Sequence, residues 1–547
     1  MQHFFNDPSH IVDDMHDGFA HRAQVIKADA GGNARIFLQA DWARAGKAAG
    51  KVAVLSGGGA GHEPAHAGYI GHGMLCGAIS GDLFASPSVE AVLAAIREAC
   101  GEAGCLLIVK NYTGDRLNFG LAAERARQEG YKVAMVIVSD DIALPDNPQP
   151  RGLAGTVLVH KVAGYYAERG DSLEDVTRQA NEISTQLASL AMALTSCTVP
   201  GQKNAERSPE LGLGIHNEPG AEAVSPQSAS EAMRLVVEPL LAHMDTCHGK
   251  EVKFIVALNN LGGCSTQEMD VLCHELVSQV GIERIHGLVG PTTLMTSLDM
   301  PGFSLTLVPY SAMLEEALTA PTDALAWPGI ATVHAPEVFK LKTSEVIDER
   351  ERPQDDKRRN MLERAANVIM NARQELDALD AQSGDGDTGA TFAAGARVVL
   401  DRLESRTLTT QDDQTLCEEL GQIFAHAMGG SSGVLLSILF TATATALKEQ
   451  KGWGEALEMG IEKMQHYGGA NRGDRTMLDA LLPAAERMRN NGTLEAIAKA
   501  ARQGADGTAT MTNAKAGRAA YVPETALSGV VDPGAEAVAR VFEALAG

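Results

Sequence analysis

Residues 337–358, EVFKLKTSEVIDERERPQDDKR, split the chain into two stretches that follow different rules. The segment is dense in charge and poor in apolar side chains, so no hydrophobic core can run through it. Before it, short apolar runs alternate with helical patterns. Beyond it, the patterned segments repeat at helical spacing. The 547 residues are therefore expected to fold as an α/β domain over 1–335, with sub-lobes of about 1–195 and 196–335, a charged linker over 336–358, and an all-α domain over 359–547.

In the first stretch, apolar runs at Lys51–Leu55, Cys105–Val109 and Val133–Val138 read as strands, with helices at Val89–Cys100 and Leu117–Glu129 between them. Strands alternating with helices imply parallel-rich sheets, and ligands of such sheets gather beyond the carboxyl ends of the strands. Polar clusters follow all three runs: SGGGAGHEPAH at 56–66, KNYTGD at 110–115, and SDD at 139–141. Val252–Leu258 and Phe303–Val308 read as strands of the second sub-lobe.

In the second stretch, Leu362, Ala365, Ala366, Ile369, Ala372, Leu376 and Leu379 form one apolar helical stripe. Segments 411–428, 433–450, 454–466, 475–490, 493–505 and 533–546 have similar patterns. The first stripe ends in DAQSGDGDTG, where Asp380, Asp385 and Asp387 sit among Gly384, Gly386 and Gly389. Such crowded carboxylates call for a hard cation, and Mg²⁺ with its oxygen ligands and phosphate bridges suits them. An EF-hand starting at Asp380 would need Gly and Glu where Asp385 and Thr391 stand, so calcium of that kind is excluded.

Other clusters admit two readings each. The glycines of 57–59 fit close backbone approach to a ligand or a structural turn. His62, Glu63 and His66 spell H-E-x-x-H, but Pro64 is expected as the first helical residue, leaving His62 in the loop and removing the zinc geometry. Asp115 fits a base for a substrate hydroxyl or the N-cap of the following helix. His216, flanked by glycines in GLGIHNEPG, fits a nucleophile toward a carbonyl or a loop histidine without a role. MGGSSG at 428–433 opens an apolar helix whose free amides suit phosphate, and Arg518 could hold phosphate by a charge-assisted contact. No P-loop pattern occurs.

Taken together, SGGGAGHEPAH, KNYTGD, GLGIHNEPG, GDGDTG, MGGSSG, GDRTM and DPGA occur in an order that resembles the ATP-dependent dihydroxyacetone kinases across nearly the whole chain. The resemblance implies an α/β substrate domain of two sub-lobes fused to a helical-barrel nucleotide domain. It implies that His216 holds the substrate carbonyl as a hemiaminal while His62 and Asp115 position and deprotonate the reacting hydroxyl. Gly57, Gly58, Gly59, Ala60 and Lys110 become substrate contacts, and Asp380, Asp385 and Asp387 become Mg²⁺ ligands. Thr388, Gly389, Ala390, Thr391, Ser431, Ser432, Gly469, Met477, Arg518, Asp532, Pro533 and Gly534 become ATP contacts. Asn217 stands where Gly is expected in many relatives, and Ala60 where Ser is frequent. A homodimer, with domains exchanged between copies, is a further expectation.

The net charge of −24 argues against nucleic acid or an acidic membrane as partner. Eight cysteines without a C-x-x-C pair suggest reduced thiols and a cytoplasmic setting. The N-terminal sequence lacks the pattern of a signal peptide, and no run of about 18 apolar residues suggests a membrane span. Rival expectations are a lyase that cyclises FAD and a triose sensor without catalysis.

Overall fold

The computed structural model describes residues 4–29, 35–44, 47, 50–201, 207–339, 341, 350–511, 514–515, 518–523 and 527–547. The chain forms two compact units, Met1–Phe339 and Lys340–Gly547. The linker expected at 336–358 falls partly on residues 340 and 342–349, outside the described residues.

The first unit carries two sheets. The strands β1 (Val25–Asp29), β2 (Arg35–Gln39), β3 (Ala53–Ala60), β4 (Gly77–Leu83), β5 (Cys105–Lys110) and β6 (Val133–Val138) form a sheet of order β1-β2-β4-β3-β5-β6. The pairs β4–β3, β3–β5 and β5–β6 are parallel. The strands β7 (Ala188–Ala193), β8 (Glu210–Leu211), β9 (Glu222–Ala223), β10 (Phe254–Asn260), β11 (Ile285–Thr292) and β12 (Gly302–Pro309) form the second, ordered β11-β10-β12-β7-β8-β9. Here only β10–β11 is parallel among the described pairs, so the parallel-rich expectation describes the first sheet and not the second. β7 precedes residue 195 and already belongs to the second sheet.

The helices of this unit are α1 (Ile11–Ala20), α2 (Ala40–Arg44), α3 (Val89–Ala99), α4 (Thr113–Gln128), α5 (Gly155–Glu168), α6 (Leu173–Ser184), α7 (Ala229–His248), α8 (Thr266–Val280) and α9 (Ala312–Thr319). Every residue of β5 and β10 is buried, the mark of strands covered on both faces. Helix starts follow capping chemistry: Ser88, Ser172, Ser228, Ser265 and Ser311 each accept a backbone N–H of the first turn.

The described elements of the second unit are helical: α10 (Asp356–Asp380), α11 (Thr388–Glu404), α12 (Asp413–Ala427), α13 (Gly430–Lys448), α14 (Trp453–Gly468), α15 (Leu478–Arg489), α16 (Leu494–Thr508) and α17 (Pro533–Ala546), with a short 3₁₀ turn at Arg518–Tyr521. Successive helices pack on one another, and α17 returns to α10, closing the bundle around one core that includes Leu376, Leu403, Leu439 and Ile461. α13 is long and apolar enough to cross a membrane, with mean hydropathy 1.5. Ser and Thr interrupt its apolar run. It lies packed against α12 and α14, with Leu436 and Leu439 in the core.

Candidate functional site

β3 delivers the first cluster. Its strand does not stop at Leu55 but continues through Ala60, so Gly57, Gly58 and Gly59 lie in the sheet and not in a loop. Their lack of side chains is a packing requirement. A Cβ on Gly57 would lie 2.2 Å from the Ile79 carbonyl oxygen, and one on Gly58 would lie 2.5 Å from Lys110 Nζ. Gly58 thus makes the space that the lysine occupies.

Lys110 ends β5, wholly buried, and its Nζ donates to His66 Nε2 at 2.9 Å. Asp115 Oδ2 lies 4.0 Å from the same ammonium. Burial lowers the lysine's pKa against the opposing pull of Asp115 and Glu63. His66 is fixed by Ser56. That hydroxyl donates to the Ile108 carbonyl at 2.7 Å, which leaves its lone pairs to accept from His66 Nδ1 at 3.2 Å and His160 Nε2 at 3.1 Å. Burial, reinforced by Lys110, holds His66 well below the ordinary histidine pKa and His160 down to about 3, so both rings are neutral.

Asp115 is not the helix cap. α4 begins at Thr113, two residues before it, and Tyr112 occupies the N-cap position without a side-chain bond. Asp115 is 1% exposed, and its Oδ1 has no hydrogen-bond partner. A buried carboxylate oxygen left open in this way is costly unless a ligand group fills it.

His62 and His216 meet across 154 residues, Nε2 to Nε2 at 3.0 Å. His62 Nδ1 donates to the Thr296 carbonyl at 2.8 Å. Burial, then the charges of Lys110 and His216, push its pKa far down. His216 packs edge-on against Tyr112 at 4.3 Å and Phe84 at 5.5 Å. Its Nδ1 faces Glu218 Oε1 at 3.3 Å, and its backbone N–H donates to Glu218 Oε2 at 2.9 Å. Asn217 has φ +66°, a left-handed conformation that Gly and Asn tolerate best, so Asn is at home in this position. Pro64 does not open a helix, because the short 3₁₀ turn begins at Ala67 with His66 as its N-cap. His62 and His66 therefore share no helix face, and the zinc reading fails on geometry. Beside this cluster a cavity of about 570 Å³ opens against Gly58, Gly59, Glu63 and His66, without His62, His216, Lys110 or Asp115 in its wall.

The second cluster lies in the helical unit. α10 ends at Asp380 and α11 begins at Thr388, so the acidic loop joins two helices that pack together. Asp380 Oδ2 gathers the backbone N–H groups of Gly386, Asp387 and Thr388 at 3.0–3.1 Å and bends the loop around itself. Oxygen atoms of Asp380, Asp385 and Asp387 all lie within 4.8 Å of one another, the first buried and the others exposed. An all-oxygen donor set with two ligands open to solvent fits a Mg²⁺ ion that keeps waters and meets phosphate.

A cavity of about 770 Å³ adjoins the loop. Its wall includes Thr388, Thr391, Ser431, Ser432, Met477, Asp532, Pro533 and Gly534 with the three aspartates. Gly389, Ala390 and Gly469 are not part of that wall. A Cβ on Gly389 would strike the Arg373 carbonyl at 2.0 Å, the Ala390 N–H is taken by Asp377, and Gly469 is the left-handed stop of α14. Arg518 opens the 3₁₀ turn, but its side chain lies outside the described residues. Asp532 caps α17 through the Ala535 N–H at 2.8 Å, and burial raises its pKa to about 6.

Arg475 and Tyr467 are among the wall residues that the sequence reading did not assign to the site. Arg475 is buried at φ +60°, donating Nη2 to the Val530 carbonyl at 2.8 Å, with Asp532 as its nearby countercharge. Tyr467 lines the same cavity at the end of α14. Neither position had a pattern to mark it beyond Arg475 lying inside GDRTM.

The Dak1 domain family matches residues 19–326 and the DAK2 domain family matches 382–547. The dihydroxyacetone kinase of Citrobacter freundii is 44% identical, covering 100% of this chain and 99% of the relative. The triokinase/FMN cyclase of Homo sapiens is 40% identical, covering 91% of each chain. The crystal structure of the C. freundii kinase in complex with AMP-PNP and Mg²⁺ superposes with a TM-score of 0.78 at 43% identity, covering 100% of this chain and 99% of that one. With both domain families matched in sequence and a full-length relative of the same architecture, the chain belongs to the dihydroxyacetone kinase family.

Proposed function

We propose a division of labour between the two units for the reaction of this enzyme, the ATP-dependent phosphorylation of dihydroxyacetone. The ketone carbon is captured on His216 as a hemiaminal, next to His62. Asp115 accepts the proton of the terminal hydroxyl, and the neighbouring Lys110 compensates its charge. The observation that carries this reading is Asp115 Oδ1, buried and unpartnered beside Lys110. It is an acceptor in want of a donor, and a substrate hydroxyl supplies one. Gly58 keeps the space open for the lysine, and Gly59 and Ala60 continue the same strand.

ATP occupies the cavity between the acidic loop and the start of α17, with Ser431 and Ser432 at the N-terminus of α13 toward its phosphates. Asp380, Asp385 and Asp387 would hold Mg²⁺, which supplies charge neutralisation for the transferring phosphoryl group. The chain itself contributes positioning: His216 fixes the ketone, Asp115 directs the hydroxyl, and the backbone amides at the helix start orient phosphate.

Because ketone and nucleotide bind different units, transfer requires the units to meet, in one chain or between copies. We favour a homodimer, which sedimentation or light scattering would detect as twice the mass of one chain. The cysteines are free thiols, in keeping with action in the cytoplasm.

ADP release with dihydroxyacetone, glyceraldehyde and glycerol, compared side by side, tests the reading. Both carbonyl compounds should support turnover. Glycerol, which cannot form a hemiaminal, should not. Equal turnover with glycerol overturns capture on His216. The human relative's name includes FMN cyclase, which favours a second activity resident in the helical unit. If present, it should survive His216→Ala.

A further inference from the structure

Polar clusters follow three strands of the first sheet, and the function proposed above uses two of them. The third, Ser139-Asp140-Asp141 after β6, has no part in it, yet both aspartates are buried. Asp140 is occupied with the fold. Its carboxylate accepts the backbone N–H groups of Leu153 at 2.7 Å and Gly155 at 3.0 Å, and the Ser189 hydroxyl of β7. Asp141 is engaged differently. Its Oδ1 accepts the Ala143 N–H at 2.9 Å, and its Oδ2 accepts Arg151 Nε at 2.6 Å. The other arm of the same guanidinium reaches across to the second sheet, where Nη2 donates to the Gly212 carbonyl at 2.7 Å. Gly212 directly follows β8 and opens the loop that presents His216.

That loop needs anchors from outside itself. It hangs between β8 and β9, strands of two residues each, so sheet bonds fix little of it. Gly212, Gly214 and Gly220 add backbone freedom that must be lost if His216 is to hold one position. Two side chains from elsewhere hold its carbonyls: Arg151 on Gly212, and the Ser297 hydroxyl on Ile215 at 2.7 Å. The fit around the arginine is close. A Cβ on Gly214 would fall 2.7 Å from Arg151 Nη1 and 2.0 Å from Glu218 Oε2.

We propose that Arg151, itself held by Asp141, is the positioning residue of the His216 loop and sets how much of the free enzyme presents that histidine ready for the ketone. The proposal rests on the capture reading above and deepens it. A guanidinium suits this task and an ammonium does not. Its planar fork donates to a carboxylate and a carbonyl at once in fixed directions, whereas lysine is a point charge on a flexible stem. With the Arg151 side chain 12% exposed and that of Asp141 3%, salt screens the pair little. The action is indirect. Where the loop is competent for only a fraction of the time, apparent affinity for the ketone falls by that fraction, while turnover at saturation is kept.

The test is steady-state ADP release by the full-length enzyme, joined to ¹³C NMR of dihydroxyacetone labelled at its carbonyl carbon. In Arg151→Lys, which keeps a cation beside Asp141, the KM for dihydroxyacetone should rise roughly 10- to 100-fold, the worth of a hydrogen bond to a charged group. The kcat and the KM for ATP should stay near wild type. The tetrahedral ¹³C signal of the adduct should need correspondingly more ketone to appear. Ser297→Ala, which removes an uncharged anchor, should raise the same KM by less, roughly 3- to 10-fold. A role in folding alone would lower the unfolding temperature of Arg151→Lys and leave both KM values unchanged, and that result overturns the proposal. A loss of kcat with an unchanged KM for dihydroxyacetone overturns it too. Absence of a tetrahedral signal in wild type is a separate failure, because it removes capture on His216 and with it the need for an anchor. Should Arg151→Lys fail to fold, ¹⁵N NMR of arginine-labelled wild type decides the matter. The Arg151 guanidinium should rotate slowly and give resolved Nη signals, and free rotation refutes the anchor.

Discussion

The two candidate sites manage charge in opposite ways. In the α/β unit, Lys110, Asp115, His62, His66 and His160 are all buried, and nearly every polar atom meets a partner within the chain. The exceptions are Asp115 Oδ1 and His160 Nδ1. In the helical unit, Asp385 and Asp387 stand exposed beside buried Asp380, and one oxygen of Asp380 gathers three backbone N–H groups of the loop. The substrate cluster is preorganised by the fold. In the function proposed above, the acidic loop becomes a complete site only with a cation bound. A ketone without charge suits the first arrangement, and a tetra-anionic nucleotide with its metal suits the second.

The comparison breaks most readily at His216. Replacing it with Ala should lower dihydroxyacetone-dependent ADP release on the order of 10³-fold, since positioning by a covalent tether is lost. Activity within a few-fold of wild type would mean that the buried cluster binds the ketone without capture. A smaller effect follows from removing metal. With EDTA the thermal stabilisation by ATP should vanish, where a saturating ligand at about 100 times its Kd would add about 2.7 kcal/mol. The ¹³C signal of bound dihydroxyacetone should stay unchanged. A loss of both would show that the two sites are not separate.

The smallest effect concerns Asp532. Its folded pKa of about 6 lies above the ordinary 3.8 because burial disfavours the charged form. The folded chain therefore binds the proton more tightly than the unfolded one. This group's contribution to stability is greatest below pH 4 and declines as pH rises toward 6. Asp532→Asn keeps a cap for α17 and removes the titration. Its unfolding temperature should exceed that of wild type above pH 6 and converge with it below pH 4. Parallel curves at all pH values would place the charge elsewhere.

Much of this arrangement was legible in the sequence, for physical reasons that differ by element. Val133–Val138 and α17 stand out because an unbroken apolar run and an Asp-Pro start are strong local signals. The acidic loop was legible because three aspartates among glycines have few stable uses. The extension of β3 through Gly57–Gly59 was hidden, since glycine carries no strand signal and its reason for being there lies in Ile79 and Lys110, distant in sequence. α11 was hidden too. Its first turns, TGATFAAGA, are made of small residues that leave a faint apolar stripe. Glu218 and Arg475 show no periodicity at all, and only their contacts with His216 and Val530 single them out.

The most direct test is a pair of calorimetric titrations, MgATP and dihydroxyacetone, each into His216→Ala and into Asp385→Asn/Asp387→Asn. The account predicts that the histidine variant keeps nucleotide binding and loses the ketone, while the aspartate variant keeps the ketone and loses MgATP. Nucleotide binding undiminished in the aspartate variant, or ketone binding undiminished in the histidine variant, would contradict it.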